Sequence, residues 1–170
     1  KNGSATEVSA KAPESAAASI AHAIKTNIDT LEETINKNIE SVARMQPIMT
    51  ISDDTLSDNG ENLIKRAKEY FDENVPPLIN SEEIGDVETT RSGVGHDLGH
   101  GYGREKVITI VSVPDVTKDG KMVFHKKNWK NRGYDRIVLA APITVTGDSE
   151  YSGEYMVGVA VNRYTRSKEQ

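Results

Sequence analysis

Residues 95–106 read GHDLGHGYGREK, and this stretch concentrates the chain's chemical options. His96 and His100 stand four residues apart, the spacing that sets two imidazoles on one helix face and suggests a metal pair. Zinc would need a third protein ligand, yet the chain has no cysteine and no glutamate where a zincin places its base. Gly95, Gly99, Gly101 and Gly103 also oppose a regular helix through both histidines. No metal centre is expected, and His22 and His125 are too remote in sequence to be placed in one.

Two other chemistries fit the same stretch. Gly99, Gly101 and Gly103 allow the backbone close to a ligand, and a helix starting near residue 104 would aim free N–H groups at an anion, with Arg104 and Lys106 adding charge. The pattern is neither a Walker loop nor a dinucleotide fingerprint, and a tight turn explains the glycines as well. The third option is acid–base chemistry. General acid–base catalysis needs one group to take a proton, one to give it, and cations to stabilise the charge that develops in the transition state. Histidine suits both proton transfers because its pKa lies near neutrality.

A second constellation lies at 127–135, KNWKNRGYD. The sole tryptophan, Trp129, and Tyr134 are interleaved with Lys127, Lys130 and Arg132, a set able to stack a base while holding its phosphate. The alternative is a hairpin in which Trp129 and Tyr134 pack onto a sheet and Arg132 pairs with Asp135. Charge distribution sharpens the choice. The chain carries a net charge of −5, but residues 118–136 hold seven Lys or Arg against two acids, Asp119 and Asp135. Such a local excess attracts phosphate even on an acidic protein, although a solvated face is the common fate of charge runs.

The elements that must position these groups can be read from periodicity. A length of 170 residues suits one domain with an appendage. Residues 1–15 lack apolar periodicity and read as a flexible lead. Over 16–47, Ile24, Ile28, Leu31, Ile35, Ile39, Val42 and Met45 recur at three- and four-residue steps, which predicts a long amphipathic helical arm that Pro47 stops. Its stripe suits self-association or docking on a protein partner, or packing on its own domain. Residues 48–62 read as a connector, followed by a helix carrying Leu63, Ile64, Ala67, Tyr70 and Phe71 that Pro76 and Pro77 end. A short strand is expected near 85–89. The segment VITIVSVPDV (107–116) is ambiguous, because its β-branched residues favour a strand while Val107, Ile110, Val111 and Pro114 fit a helical face. Beyond the turn at 118–121, three alternating or apolar runs predict an antiparallel meander, with Pro142 marking an edge strand or a bulge. Helices first and then a small antiparallel sheet make an α+β architecture. No run approaches the roughly 18 apolar residues of a membrane span. No signal peptide is expected behind Lys1, which opens a polar segment.

AKEYFDE (67–73), EIGDVETTRSGV (83–94), GHGYGREK (99–106), VPDVTKDGK (113–121), NWKNRGYD (128–135) and VLAAPITVTG (138–147) follow one another between about 49 and 164. In these motifs and their order the sequence resembles a domain family of large polyvalent proteins from phages and conjugative elements. The family is similar to the barnase–EndoU–colicin–RelE group of small α+β ribonuclease folds, so the resemblance implies a ribonuclease-like domain over 48–170, with the sheet packed on a helix. It implies a helix over about 104–116, because family members are alanine-rich there. It also implies toxin-type, metal- and cofactor-independent RNA cleavage, with His100 on the family's recurrent histidine as general acid or base. Lys106, on its recurrent lysine, would stabilise the phosphate together with Arg104. The competing expectation is a non-catalytic interaction or virion-associated module. A virion or the host cytoplasm is the implied setting. His96 and Asp97 stand where the family has an acid and a serine, and the family pattern ends in a further strand beyond Gln170.

Overall fold

The structure, a computed structural model, describes residues 30–55, 63–89, 107 and 109–164. The chain divides into two compact units, residues 1–37 and 38–170. The expected flexible lead, the helical arm before residue 30, and the whole GHDLGHGYGREK stretch, with His96, His100, Arg104 and Lys106, lie outside the described residues.

Within the described part of the arm, helix α1 covers 30–44, so it stops three residues short of Pro47. The residue before a proline is pushed towards extended backbone, which explains why the helix ends ahead of it. The predicted stripe shifts by one position at its end. Val42 is buried, but Ile39 is 47% exposed, and the half-buried neighbour is Asn38. Asn38 turns inward because its amide has partners there, donating to the Met122 carbonyl at 2.9 Å and to Glu83 Oε2 at 3.4 Å.

A four-stranded sheet is built around one long strand. In chain order the strands are β1 (Thr50–Ser52), β4 (Lys121–Lys126), β5 (Tyr134–Thr146) and β6 (Gly153–Tyr164). Strands β4, β5 and β6 form the expected antiparallel meander, with β5 in the middle. The sheet as a whole is mixed, which corrects the purely antiparallel expectation, because β1 joins β5 in parallel, Thr50 beside Thr144. β1 falls within the expected connector, because three residues are too few to display a period.

Pro142 lies in the central strand β5, opposite Met156 of β6, and not on an edge or at a bulge. The reason is that two strands share the other side of β5: β4 pairs with residues up to Ala140, and β1 begins at Thr144. Pro142 sits between them. Its carbonyl accepts from Ile48 N–H at 2.9 Å on that side. N–H and C=O of one strand residue face the same edge, so the missing donor costs no ladder bond.

The ambiguous VITIVSV segment is helical where it is described, with a 3-10 turn at Ile110–Ser112 leading into α3 (Val113–Asp119). Val107 and Ile110 are buried and Val113 packs beside them, with Val116 buried in a second cluster, a spacing of three that suits a 3-10 entry better than a strand. Pro114 falls in the first turn of α3, where its missing N–H is harmless. Helix α2 (Leu63–Asn74) and the hairpin β2–β3 (Leu78–Ser81 and Gly85–Glu88) complete this side: Ala67, Phe71, Val75 and Ile79 cluster with Val107 and Ile110. A second core joins Val116 of α3 to Ala141, Ile143 and Val145 on one face of β5, with Ile51 of β1. Gly120 links α3 to β4, and a side chain there would lie 2.3 Å from the Val116 carbonyl and 3.2 Å from that of Ala140. Helices set on a mixed sheet place the chain in the α+β class.

Candidate nucleic-acid interface

Among the described residues, only half of the opposite face of the sheet is covered. The last turns of α1 lie over one half, leaving an apolar cleft of about 370 Å³ lined by Ile39, Val42, Ala43, Val123, Ala140 and Met156. The other half carries the 127–135 constellation.

Hairpin register decides what gathers there. Lys126 of β4 stands directly opposite Arg136 of β5, with Phe124 opposite Val138, and residues paired across an antiparallel ladder share a face. Trp129, in the 3-10 turn Trp129–Asn131, folds back over this face. Its indole meets the Phe124 ring edge-on, 5.7 Å between centroids and 86° between planes. Three cations surround it: Lys130 Nζ at 5.5 Å, the Arg136 guanidinium at 5.8 Å and Lys126 Nζ at 5.9 Å from the indole centroid. The Arg136 guanidinium also lies 6.0 Å from the Tyr134 ring.

The connecting loop is held in a costly conformation. Asn128, Lys130 and Asn131 have φ of 44°, 51° and 57°, the left-handed region that only glycine enters freely. Asp135 holds this shape from the other face of the sheet. Its Oδ1 accepts from Asn128 N–H at 3.0 Å and its Oδ2 lies 3.2 Å from His125 Nε2, while Asn128 Oδ1 accepts from Gly133 N–H at 3.1 Å. The Asn128 N–H, then the hydrogen bond and charge of His125, hold the Asp135 carboxyl below its ordinary value. Burial opposes the shift without cancelling it.

The alternative pairing of Arg132 with Asp135 is therefore not what forms. Both Asp135 oxygens have partners already, and the Arg132 guanidinium lies instead beside the Tyr134 phenol, where it holds that phenol below its ordinary pKa, with Arg136 adding to the effect. Of the five residues expected here, Trp129 and Lys130 meet directly, and Tyr134 reaches them through Arg136. Lys127 is exposed and acts electrostatically on Asp135. Sequence reasoning missed Lys126, Arg136 and Phe124 as site residues. A signal existed: Lys126 and Arg136 are equidistant from Asn131, the middle of a hairpin loop rich in turn formers.

Magnitudes show what the cluster is suited to. A like-charge pair directly across two strands costs a few tenths to ~1 kcal/mol. Each cation at nearly 6 Å from an indole, the outer limit of the interaction, returns about 0.5 kcal/mol. The two effects roughly cancel, leaving a positive potential that no acid among the described residues neutralises: the ion pairs found are Lys65–Glu69, Lys121–Glu83 and His125–Asp135. Among the described residues Arg136 Nε is buried without a hydrogen-bond partner and no carboxylate pairs with this side chain, which two aromatic rings hold. Among the described residues no group of three His, Asp or Glu could hold a metal ion.

Comparison with protein-family models, with curated proteins and with solved structures finds no match to this chain. Fold and site define a class: an α+β domain with a basic, aromatic platform at one end of its sheet. No helix among the described residues is long and apolar enough to cross a membrane.

Proposed function

We propose that this domain binds single-stranded RNA at the Trp129 platform, as the RNA-handling module of a polyvalent protein of a phage or mobile element. The observation that carries the reading is the Lys126–Arg136 cross-strand pair, joined by Lys130 around one indole and lacking any acid partner among the described residues. Cations without carboxylates attract phosphate, and an aromatic ring beside them stacks a base regardless of its identity. The sequence resemblance extends this to cleavage in a ribonuclease-like domain. His100 transfers the proton, and Lys106 with Arg104 stabilises the phosphate, at a centre needing no metal or cofactor.

Trp129 is the only tryptophan, so its fluorescence reports on the site alone. Titrating the chain with single-stranded RNA is expected to quench that emission in a salt-dependent way, and an unchanged spectrum refutes the binding reading. Incubation with labelled RNA in EDTA tests cleavage. Intact RNA, or cleavage undiminished in His100→Ala, removes the enzymatic part and leaves a binding module. A second reading, a non-catalytic protein-interaction module, is favoured by the apolar cleft with Ile39 and Met156 exposed at its lining. Loss of a partner complex or oligomer on Ile39→Asp, with RNA binding absent, selects it.

A further inference from the structure

The open face does not end at Trp129. In the β5–β6 register Arg136 stands opposite Asn162, and Tyr134 stands opposite Tyr164 one rung further on. Two residues of an antiparallel strand advance about 6.8 Å, so the rungs are a short step apart. The Tyr134 and Tyr164 rings lie 5.3 Å apart and tilted by 58°, while Tyr134 also borders the Arg136 guanidinium. Trp129, Arg136, Tyr134 and Tyr164 thus form one unbroken run of rings around a cation. Tyr134 is its floor, 8% exposed, whereas Tyr164 is 67% exposed and offers ring surface to solvent. Asn162, between them on the rung of Arg136, is exposed, and its amide has no hydrogen-bond partner among the described residues.

A single exposed tyrosine is ordinary on a protein surface. The order of groups is what distinguishes this one: ring, cation, free amide, ring, along one face. An unpaired strand presents a base face to stack, then a phosphate, then the edge and the face of the next base, in the same order. A duplex hides its base faces and does not fit. We infer that the sheet face is a track for two consecutive unpaired nucleotides, with one base on Trp129, the intervening phosphate on Arg136, and the second base on Tyr164 with its edge held by Asn162. A side-chain amide donates and accepts at once, and the exposed edge of any unpaired base offers a donor beside an acceptor, so Asn162 adds affinity at the second position without selecting a base. This inference rests on the proposal that Trp129 contacts RNA.

Anisotropy titrations of fluorescein-labelled rA5 and rU5 with the full chain test it. Loss of one stacked base weakens binding roughly 5- to 150-fold, so Tyr164→Ala is expected to raise Kd for both probes by a factor in that range. Tyr164→Phe, which keeps the stacking ring, is expected to bind like the parent chain. Asn162→Ala is expected to raise Kd for both probes several-fold. Binding lost in Trp129→Leu but unaltered in Tyr164→Ala overturns the second position while leaving the Trp129 platform standing. Binding of both probes unaltered by Asn162→Ala overturns the role of that amide. No binding of either probe by the parent chain overturns both this inference and the proposal beneath it.

Discussion

Lys130→Asn separates an electrostatic platform from a structural hairpin. Lys130 is exposed and Nζ stands 5.5 Å from the indole, but its backbone has φ of 51°. Asparagine tolerates that conformation and carries no charge, so the substitution removes a cation without adding backbone strain. Binding to a single strand weakens with salt, with a slope of about −0.7 in log K against log salt for each phosphate neutralised. With Lys126, Lys130 and Arg136 each engaging one phosphate, the slope is about −2.1, and affinity falls about 18-fold between roughly 50 and 200 mM salt. Removing Lys130 takes the slope to about −1.4 and the fall to about 7-fold. If the exposed Lys127 and Arg132 also engage phosphate, the starting slope is steeper but the decrement is still about 0.7. Fluorescence titrations at four or five salt concentrations on both chains measure it. A slope unchanged by the substitution refutes the reasoning, even if affinity falls, because such a loss would come from loop geometry and not from charge.

Three further outcomes follow from the same geometry and from the link to α3. Lys126→Glu replaces the like-charge pair opposite Arg136 with an opposite-charge one, so stability rises by about 0.2–1 kcal/mol while RNA affinity falls; denaturant midpoints and anisotropy on one sample read both. Asp135 has a folded-state pKa below its ordinary value of 3.8, so its stabilising contribution is complete above that value and fades as pH falls through the lowered one. Asp135→Asn therefore lowers stability at neutral pH and flattens its dependence on pH at the acid end, which thermal midpoints across an acid pH series measure. Gly120→Ala forces a methyl against the Val116 carbonyl, 2.3 Å away, and costs about 1–3 kcal/mol in chemical denaturation.

Much of the scaffold was legible because its signals are local. The Tyr134–Thr146 and Gly153–Tyr164 strands announce themselves by length and apolar alternation, and Pro76 and Pro77 mark the end of α2. What stayed illegible depends on partners distant in sequence. Asn38 faces inward in place of Ile39 because the Met122 carbonyl, 84 residues away, accepts from it. Pro142 is tolerated in a central strand because two separate strands meet opposite it. The site shows the same division. NWKNRGYD advertises an aromatic and cationic loop, but its composition does not reveal the three left-handed residues that fold Trp129 back onto Lys126 and Arg136. Asp135 looks like a partner for nearby Arg132 until the hairpin register brings His125 and the Asn128 N–H to it.

The two half-strands that share one side of β5 leave the sheet with a seam at Pro142. Backbone amides of β4 can open to solvent, and reclose, without disturbing the β1 ladder that is tied to the Val116 core. Hydrogen–deuterium exchange is accordingly expected to be faster across Lys121–Lys126 than across Thr144–Thr146, with the boundary at the proline. A hairpin that breathes on its own is also free to vary on its own. Loop residues 127–133 can be shortened, lengthened or rewritten while the α3-backed half of the sheet keeps its fold, so affinity for a nucleic acid can drift without loss of the scaffold.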